Sequence, residues 1–405
     1  MAGWLFLIAM LTGVLVVLNA ARPSVGPYSL VPSWLAAFLT TDLAFHHIGL
    51  QLLVAAGFIW AGALETLPGK LALVIVVVSS AWLVILWLPN LRAAAATSAV
   101  ADEFGLDEVE TIPRALLWVP LRRRHEGVSV ARDVEYSRAA GRVLTMDIYR
   151  GLSGGERRPA LVYLHGGGWV LGDKCNQGLP LCNHLAKLGW VCANTNYRLS
   201  PGATWPDHAI DAKTAIAWLR EHAEEWNVDP DFIAIAGGSA GGHIAAMVAL
   251  TPGAPELQPG FTNSDTSTQA AVTFYGVYDM TNRMGLYGPE FLTKLVGPYV
   301  LKAFPDAEPE RFSAASPRTH VGRVSQPWLI LQGDGDTMTP AAEARDFAEA
   351  LRERSEHPVV YAELPGAQHA FDIYYSPRAI ATVELTARFL ATTYCRSSQS
   401  RQSQP

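Results

Sequence analysis

Residues 232–250 read FIAIAGGSAGGHIAAMVAL: an apolar run rich in Ile and Ala, a cluster of small residues, and at once a helix-compatible run. That is strand, tight turn, helix, and a chain made of such units folds as an α/β sheet. Gly237, Ser239 and Gly241 have the spacing G-x-S-x-G, in which small neighbours permit a strained backbone that lifts a hydroxyl into the open. Ser239 is therefore the candidate nucleophile. A serine in a glycine-rich turn is by itself an ordinary turn residue, so the remaining chain has to decide its role.

From about Gly127 onward the pattern is short strands separated by turns. VSVARDVEYS and RVLTMDIYR alternate with a period of two and predict an antiparallel hairpin bent around Ala140 and Gly141. PALVYLH, WVCANTNYR, FIAIAGG, QAAVTFYG, PWLILQG and PVVYAEL are short apolar runs with room between them for crossover helices. One such helix is expected over Ala209–Trp226, where Ala209, Ala212, Ile216, Leu219 and Ala223 share a face. The expected fold is an α/β sheet, mostly parallel.

The region before Gly127 is different in kind. Trp4–Leu18, Leu43–Leu64 and Leu71–Leu88 are apolar stretches that approach or reach the roughly 20 residues needed to cross a bilayer core. The third carries no charge, and Trp4, Trp34, Trp60, Trp82 and Trp87 mostly lie near the ends of the stretches, as interfacial aromatics do. The expectation is a membrane domain over 1–91 with about three transmembrane helices; a buried helical hairpin of a soluble protein is the alternative. A cleaved leader ending near Asn19-Ala20-Ala21 is a second alternative, but the leading Met-Ala-Gly-Trp lacks basic charge and favours a retained anchor. Arg22, Arg92, Arg114 and Arg122–Arg124 share one side and Lys70 the other, which places the larger domain in the cytoplasm. His46 and His47 are adjacent, cannot easily share a ligand, and read as packing residues.

Residues 92–126 are expected as a juxtamembrane linker. Its RALLWVPLRRR puts Leu116, Leu117, Trp118 and Leu121 beside arginines, either to rest on anionic headgroups or to pack on the next domain. The last ten residues, RSSQSRQSQP, are polar and patternless and are expected to be a disordered tail over 396–405. A net charge of −6 gives no strong basic balance, so no nucleic-acid partner is expected. Cys175, Cys182, Cys192 and Cys395 lack metal-ligand spacing, as do the histidines, so neither a metal nor a cofactor is expected. Cys175 and Cys182 are near enough in sequence to bridge in an oxidising compartment, which sequence leaves open.

His165-Gly166-Gly167-Gly168-Trp169 ends the PALVYLH run, and its three glycines let backbone N–H groups approach a ligand unobstructed. HGGGW, YRLSP (Tyr197–Pro201), GGSAGG, GDGD and QHAF together resemble the α/β-hydrolase fold. Within it, the chain resembles the esterases of the hormone-sensitive-lipase-like and isoprenylcysteine-methylesterase-like groups, and the resemblance covers about Val128–Tyr394 of 127–395. It implies an oxyanion hole at Gly167, Gly168 and Ala240. It also implies an acid at Asp336, in a G-x-x-D pattern from Gly333 with Asp334 as the lesser substitute, and a base at His369. The order Ser239, Asp336, His369 is the one expected of this fold.

The implied activity is hydrolysis of carboxylic esters through an acyl-enzyme on Ser239, with a small-molecule or lipid ester as substrate and membrane lipids as surroundings. His165 is expected to shape the oxyanion loop, while Trp169 and His243 are candidates for the pocket. The segment 276–326 interrupts the sheet pattern and is expected as a cap or lid, with Phe291 and Leu295 toward substrate. An amide-cleaving relative of the kynurenine-formamidase kind and a non-catalytic hydrolase-fold binding module are the alternatives. Oligomeric state is open.

Overall fold

A computed structural model describes residues 1–26, 28–152, 157–322 and 326–403. Residues 323–325 of the expected cap and 404–405 of the expected tail lie outside them. Eight strands form one sheet in the order β1-β2-β4-β3-β5-β6-β7-β8. They are β1 (Val128–Ala139), β2 (Arg142–Gly151), β3 (Arg158–Leu164), β4 (Val191–Thr195), β5 (Val228–Gly238), β6 (Ala270–Phe274), β7 (Trp328–Gly333) and β8 (Val359–Leu364). The hairpin β1–β2 and the β2–β4 pair are antiparallel, and every other pair is parallel. The six expected apolar runs are β3 to β8. β3 to β7 are largely buried on both faces and need no alternation of polar residues, while the edge strand β8 keeps Tyr361 and Glu363 partly exposed.

The helices are α1 (Ala2–Ala21), α2 (Leu30–Asp42), α3 (Ala44–Trp60), α4 (Leu67–Trp87), α5 (Pro89–Glu103), α6 (Leu179–Lys187), α7 (Asp207–Glu221), α8 (Ala223–Trp226), α9 (Ala240–Leu250), α10 (Pro309–Ala314), α11 (Ala341–Arg354) and α12 (Pro377–Gln402). The helix expected over Ala209–Trp226 is broken at His222, whose ring stacks back on Trp218 and whose Nδ1 meets the Trp218 carbonyl.

α1 and the continuous α4–α5 rod are each long and apolar enough to cross a membrane. The middle stretch is not a simple span: α2 and α3 meet at 89°. Phe6 of α1 stacks on Phe58 near the end of α3, while Val17, Ala44 and Leu83 cluster at the opposite end. α1 and α4 therefore run parallel and α3 antiparallel, with α2 turned across the end nearest the sheet.

One expectation is corrected and one alternative is decided. Of the two readings of the linker, packing on the next domain holds for Leu116, which is buried with Ala93, Ala101, Leu106 and Ile112 in the core formed with α12 and one face of the sheet. Trp118 and Leu121 remain exposed, at 77% and 65%. The expected tail is helical as far as Gln402, because Arg401 pairs with Asp229 at 2.8 Å and Asp231 at 3.4 Å beside β5, giving the polar run a partner. All four cysteines are free, so Cys175 and Cys182 are not bridged.

Candidate active site

The site collects at the carboxyl ends of β3, β5, β7 and β8, where ligands bind in open α/β sheets. Leu164 of β3 lies opposite Gly237 of β5, so the loops leaving these neighbours emerge side by side. Ser239 has φ 56° and ψ −120°, a strained conformation for a side chain with a Cβ, and is half-exposed among buried neighbours. A Cβ on Gly241 would stand 2.1 Å from the Leu164 carbonyl oxygen, so only glycine lets helix α9 start this close to β3.

His369 Nε2 is 2.8 Å from Ser239 Oγ, and His369 Nδ1 is 2.8 Å from Asp336 Oδ2. These partners set the tautomer, with the proton on Nδ1 and Nε2 free to accept. Asp336 is held in turn. Its Oδ1 accepts from the Met338 and Thr339 N–H groups at 2.8 Å, and its Oδ2 accepts from the Thr339 hydroxyl at 2.9 Å. Asp334 points elsewhere and accepts from the Gly366 N–H, so it is no substitute acid.

The HGGG loop lies against the serine: a Cβ on Gly166 would come within 3.0 Å of Ser239 Cβ. Gly167 (φ +129°) and Gly168 (φ +58°) turn the chain there, and Ala240 opens α9, where the first N–H groups of a helix have no intrahelical partner. His165 shapes this loop as expected, with its Nδ1 2.9 Å from the Gly166 carbonyl and its ring stacked on Tyr197. Leu295 overhangs the loop, 3.8 Å from a Cβ built on Gly168. Phe291 is half-buried and stacked on Tyr287 at 4.1 Å, on a π-helix over Phe291–Leu301.

Trp169 and His243 do not face the mouth. Both are buried, with Trp169 Nε1 donating to His243 Nδ1 at 3.2 Å and His243 Nε2 2.7 Å from the Ala315 carbonyl. They floor the HGGG loop, since Trp169 directly follows Gly168. Burial pushes the His243 imidazole down to about 3, so it stays neutral, and His165 shifts in the same direction for the same reason.

Sequence reasoning missed three neighbours of His369. The Tyr275 ring packs 4.5 Å from the imidazole, and its hydroxyl donates to Asp372, a fully buried carboxyl that burial pushes above the usual carboxylate range. Trp34, from α2, donates its Nε1–H to the His369 carbonyl at 2.9 Å. Trp34 was expected as an interfacial aromatic and instead meets the His369 loop; the spacing Trp34, Phe38, Asp42, which marks one helix face, is the signal that could have found it.

The sequence profile of the BD-FAE family matches residues 146–351, half of the chain. The probable carboxylic ester hydrolase LipM of Mycobacterium tuberculosis is 39% identical over 93% of this chain and 90% of its own length. The chain belongs to the BD-FAE family and is an α/β-hydrolase carboxylesterase. Esterase LipQ of the same organism is 41% identical to this esterase, over 74% of each chain. The propionate-bound esterase Est2 of Thermogutta terrifontis superposes with a TM-score of 0.55 at 29% identity, covering 66% of this chain and 94% of that one. The LipM match leaves out 7% of this esterase's 405 residues, about 28, so it must include most of the N-terminal helices.

Proposed function

We propose that this carboxylic ester hydrolase is a membrane-anchored serine enzyme that works through an acyl-enzyme on Ser239. The observation that carries the reading is the line Asp336 Oδ2, His369 Nδ1, His369 Nε2, Ser239 Oγ, with 2.8 Å at both hydrogen bonds. Ser239 Oγ attacks the ester carbonyl carbon while His369 Nε2 takes its proton, since a serine hydroxyl is a weak nucleophile without a base. Negative charge then develops on the carbonyl oxygen beside the N–H groups of Gly167, Gly168 and Ala240. The imidazolium, stabilised by Asp336, returns the proton to the leaving alcohol. A water molecule, deprotonated by the same nitrogen, releases the acid and restores Ser239. Leu295 and Phe291 border the acyl side, which fits an apolar ester.

The anchor is α1, α3 and α4 as three spans, with α5 docked on the hydrolase core and α2 lying across the surface. Arg22 and Arg92 sit at the sheet end of the bundle and Lys70 at the far end, which favours a cytoplasmic catalytic region; protease protection in sealed vesicles tests this. The chemistry is tested by Ser239→Ala and by a fluorophosphonate probe. Hydrolysis of p-nitrophenyl butyrate and labelling should both vanish in the variant while the melting midpoint holds. Near-native turnover by Ser239→Ala would overturn the assignment. Comparing that ester with N-formylkynurenine separates ester from amide preference.

A further inference from the structure

We propose that helix α2 of the N-terminal bundle is part of the catalytic apparatus: it clamps the loop that carries His369, with Trp34 as the positioning residue. The inference rests on His369 being the base. Trp34, Phe38 and Asp42 recur every fourth residue and so share one face of α2. Each of them meets the stretch from Pro365 to Arg378. Trp34 Nε1 donates to the His369 carbonyl at 2.9 Å, and its ring stands edge-on to the imidazole at 5.8 Å. Phe38 stacks on Tyr374, with centroids 5.7 Å apart and planes 14° from parallel. Asp42 pairs with Arg378 at 2.8 Å, both side chains buried, and Arg378 passes the contact on to the Pro365 carbonyl at 3.1 Å.

The loop between β8 and α12 contains no strand or α-helix to hold it. Its base must nevertheless present both ring nitrogens at hydrogen-bonding distance, in two directions at once. Tyr275 closes on the imidazole at 4.5 Å, and Trp34 supplies the second aromatic contact. Trp34 also takes up the main-chain carbonyl of the catalytic residue itself, which fixes where its Cα sits. A shift of about 1 Å in such a group can cost about 100-fold in rate. The turn ahead of α2 reaches the other flank of the site, where Lys294 of the π-helix lies 5.0 Å over the Tyr28 ring. The bundle therefore does more than hold the enzyme at a surface: it sets the geometry of proton transfer.

The test is Trp34→Phe in the full-length, detergent-solubilised protein, which keeps an aromatic ring and removes the N–H. With p-nitrophenyl butyrate, kcat should fall about 10- to 100-fold. KM should stay within about twofold, the signature of a lost interaction in the chemical step and not in substrate binding. Fluorophosphonate labelling should slow by the same factor as kcat, with an unchanged melting midpoint. Tyr374→Leu approaches the clamp from the loop side and should give the same kcat-selective loss; it decides the matter if Trp34→Phe does not fold. Native kcat and labelling rate in the folded variant overturn the clamp. Ser239→Ala separates the two ideas: if it is dead while both clamp variants are native, only the clamp fails, whereas if it is active the triad itself fails.

Discussion

The N-terminal bundle packs many small side chains at its seam, beside a few large ones such as Phe6 and Leu83, and turns large apolar ones outward; in the hydrolase region the large apolar side chains are inside. Gly3, Ala55, Ala63, Gly69 and Ala72 lie where α1, α3 and α4 meet, and Leu15, Leu53, Val74, Val77 and Val78 face away. Around the sheet, Trp328, Phe274, Phe232 and Tyr278 are buried, and outward positions are mostly polar. In the proposed anchor, small residues at a seam would let helix backbones approach where lipid tails are as apolar as the side chains, so that shape and hydrogen bonds do the holding. The Ser79–Gln51 bond at 2.9 Å is one of them. In water, area removed from solvent holds the sheet together instead. The two regions meet at α2, where a buried Asp42–Arg378 pair and an aromatic stack join the bundle to the hydrolase region.

If the regions do differ in this way, disturbances should sort by region. The largest effect belongs to the hydrolase region alone: Ser239→Ala should lower kcat by about 10⁴-fold or more without moving the bundle, as read by ester turnover and by membrane extraction. Next, Val77→Lys places a charge on the outward face of α4 and should cost about 2.5–3.5 kcal/mol of insertion. The formally similar Val143→Lys, at an exposed position near the start of β2, should stay within about 0.5 kcal/mol. Equal behaviour of the two lysine variants in glycosylation-mapped insertion and thermal melting erases the proposed contrast.

Gly69→Ala should cost about 1–3 kcal/mol by overpacking, because the added Cβ would sit 1.9 Å from the Ala63 carbonyl oxygen. Gly57→Ala, with open space around it, should be neutral in the same melting assay. The effect of pH is graded and spread over the whole hydrolase region. Burial pushes His243 down to about 3 and His208 down to about 4. A folded-state value below the unfolded one means the unfolded chain takes up protons first, so stability is complete above about 6.5 and is lost as pH falls from there toward the folded-state values. The slope is about 1.4 kcal/mol per pH unit for each such histidine. A melting midpoint that does not change between pH 6.5 and 5 would contradict this.

Much of the candidate site was legible because its signals are local. The serine turn, the HGGG loop and the stretches around Asp336 and His369 are each a few residues long, and their backbone demands leave marks such as Gly241. Strands β3 to β8 were legible for the same reason, as apolar runs between turn residues. What escaped was long-range. Trp34 and His369 are 335 positions apart, and no local pattern ties them. Trp169 and His243 looked like pocket residues because they neighbour the motifs, yet the turn after Gly168 drives the indole inward onto the imidazole. The tail read as structureless because its partners, Asp229 and Asp231, lie at β5.

By itself the amino-acid order determined the chemistry on offer: a serine on a strained turn, a glycine-lined loop, an acid and a base in a set succession, and helices apolar enough for a bilayer. Residue type and short-range backbone strain are properties of a few consecutive residues. Tertiary structure alone decided that a helix from the apolar end of the chain lies against the loop of the base, that the presumed linker is core, and that two presumed pocket residues are floor. Those outcomes depend on which distant surfaces exclude water together, and that is a property of the packed whole.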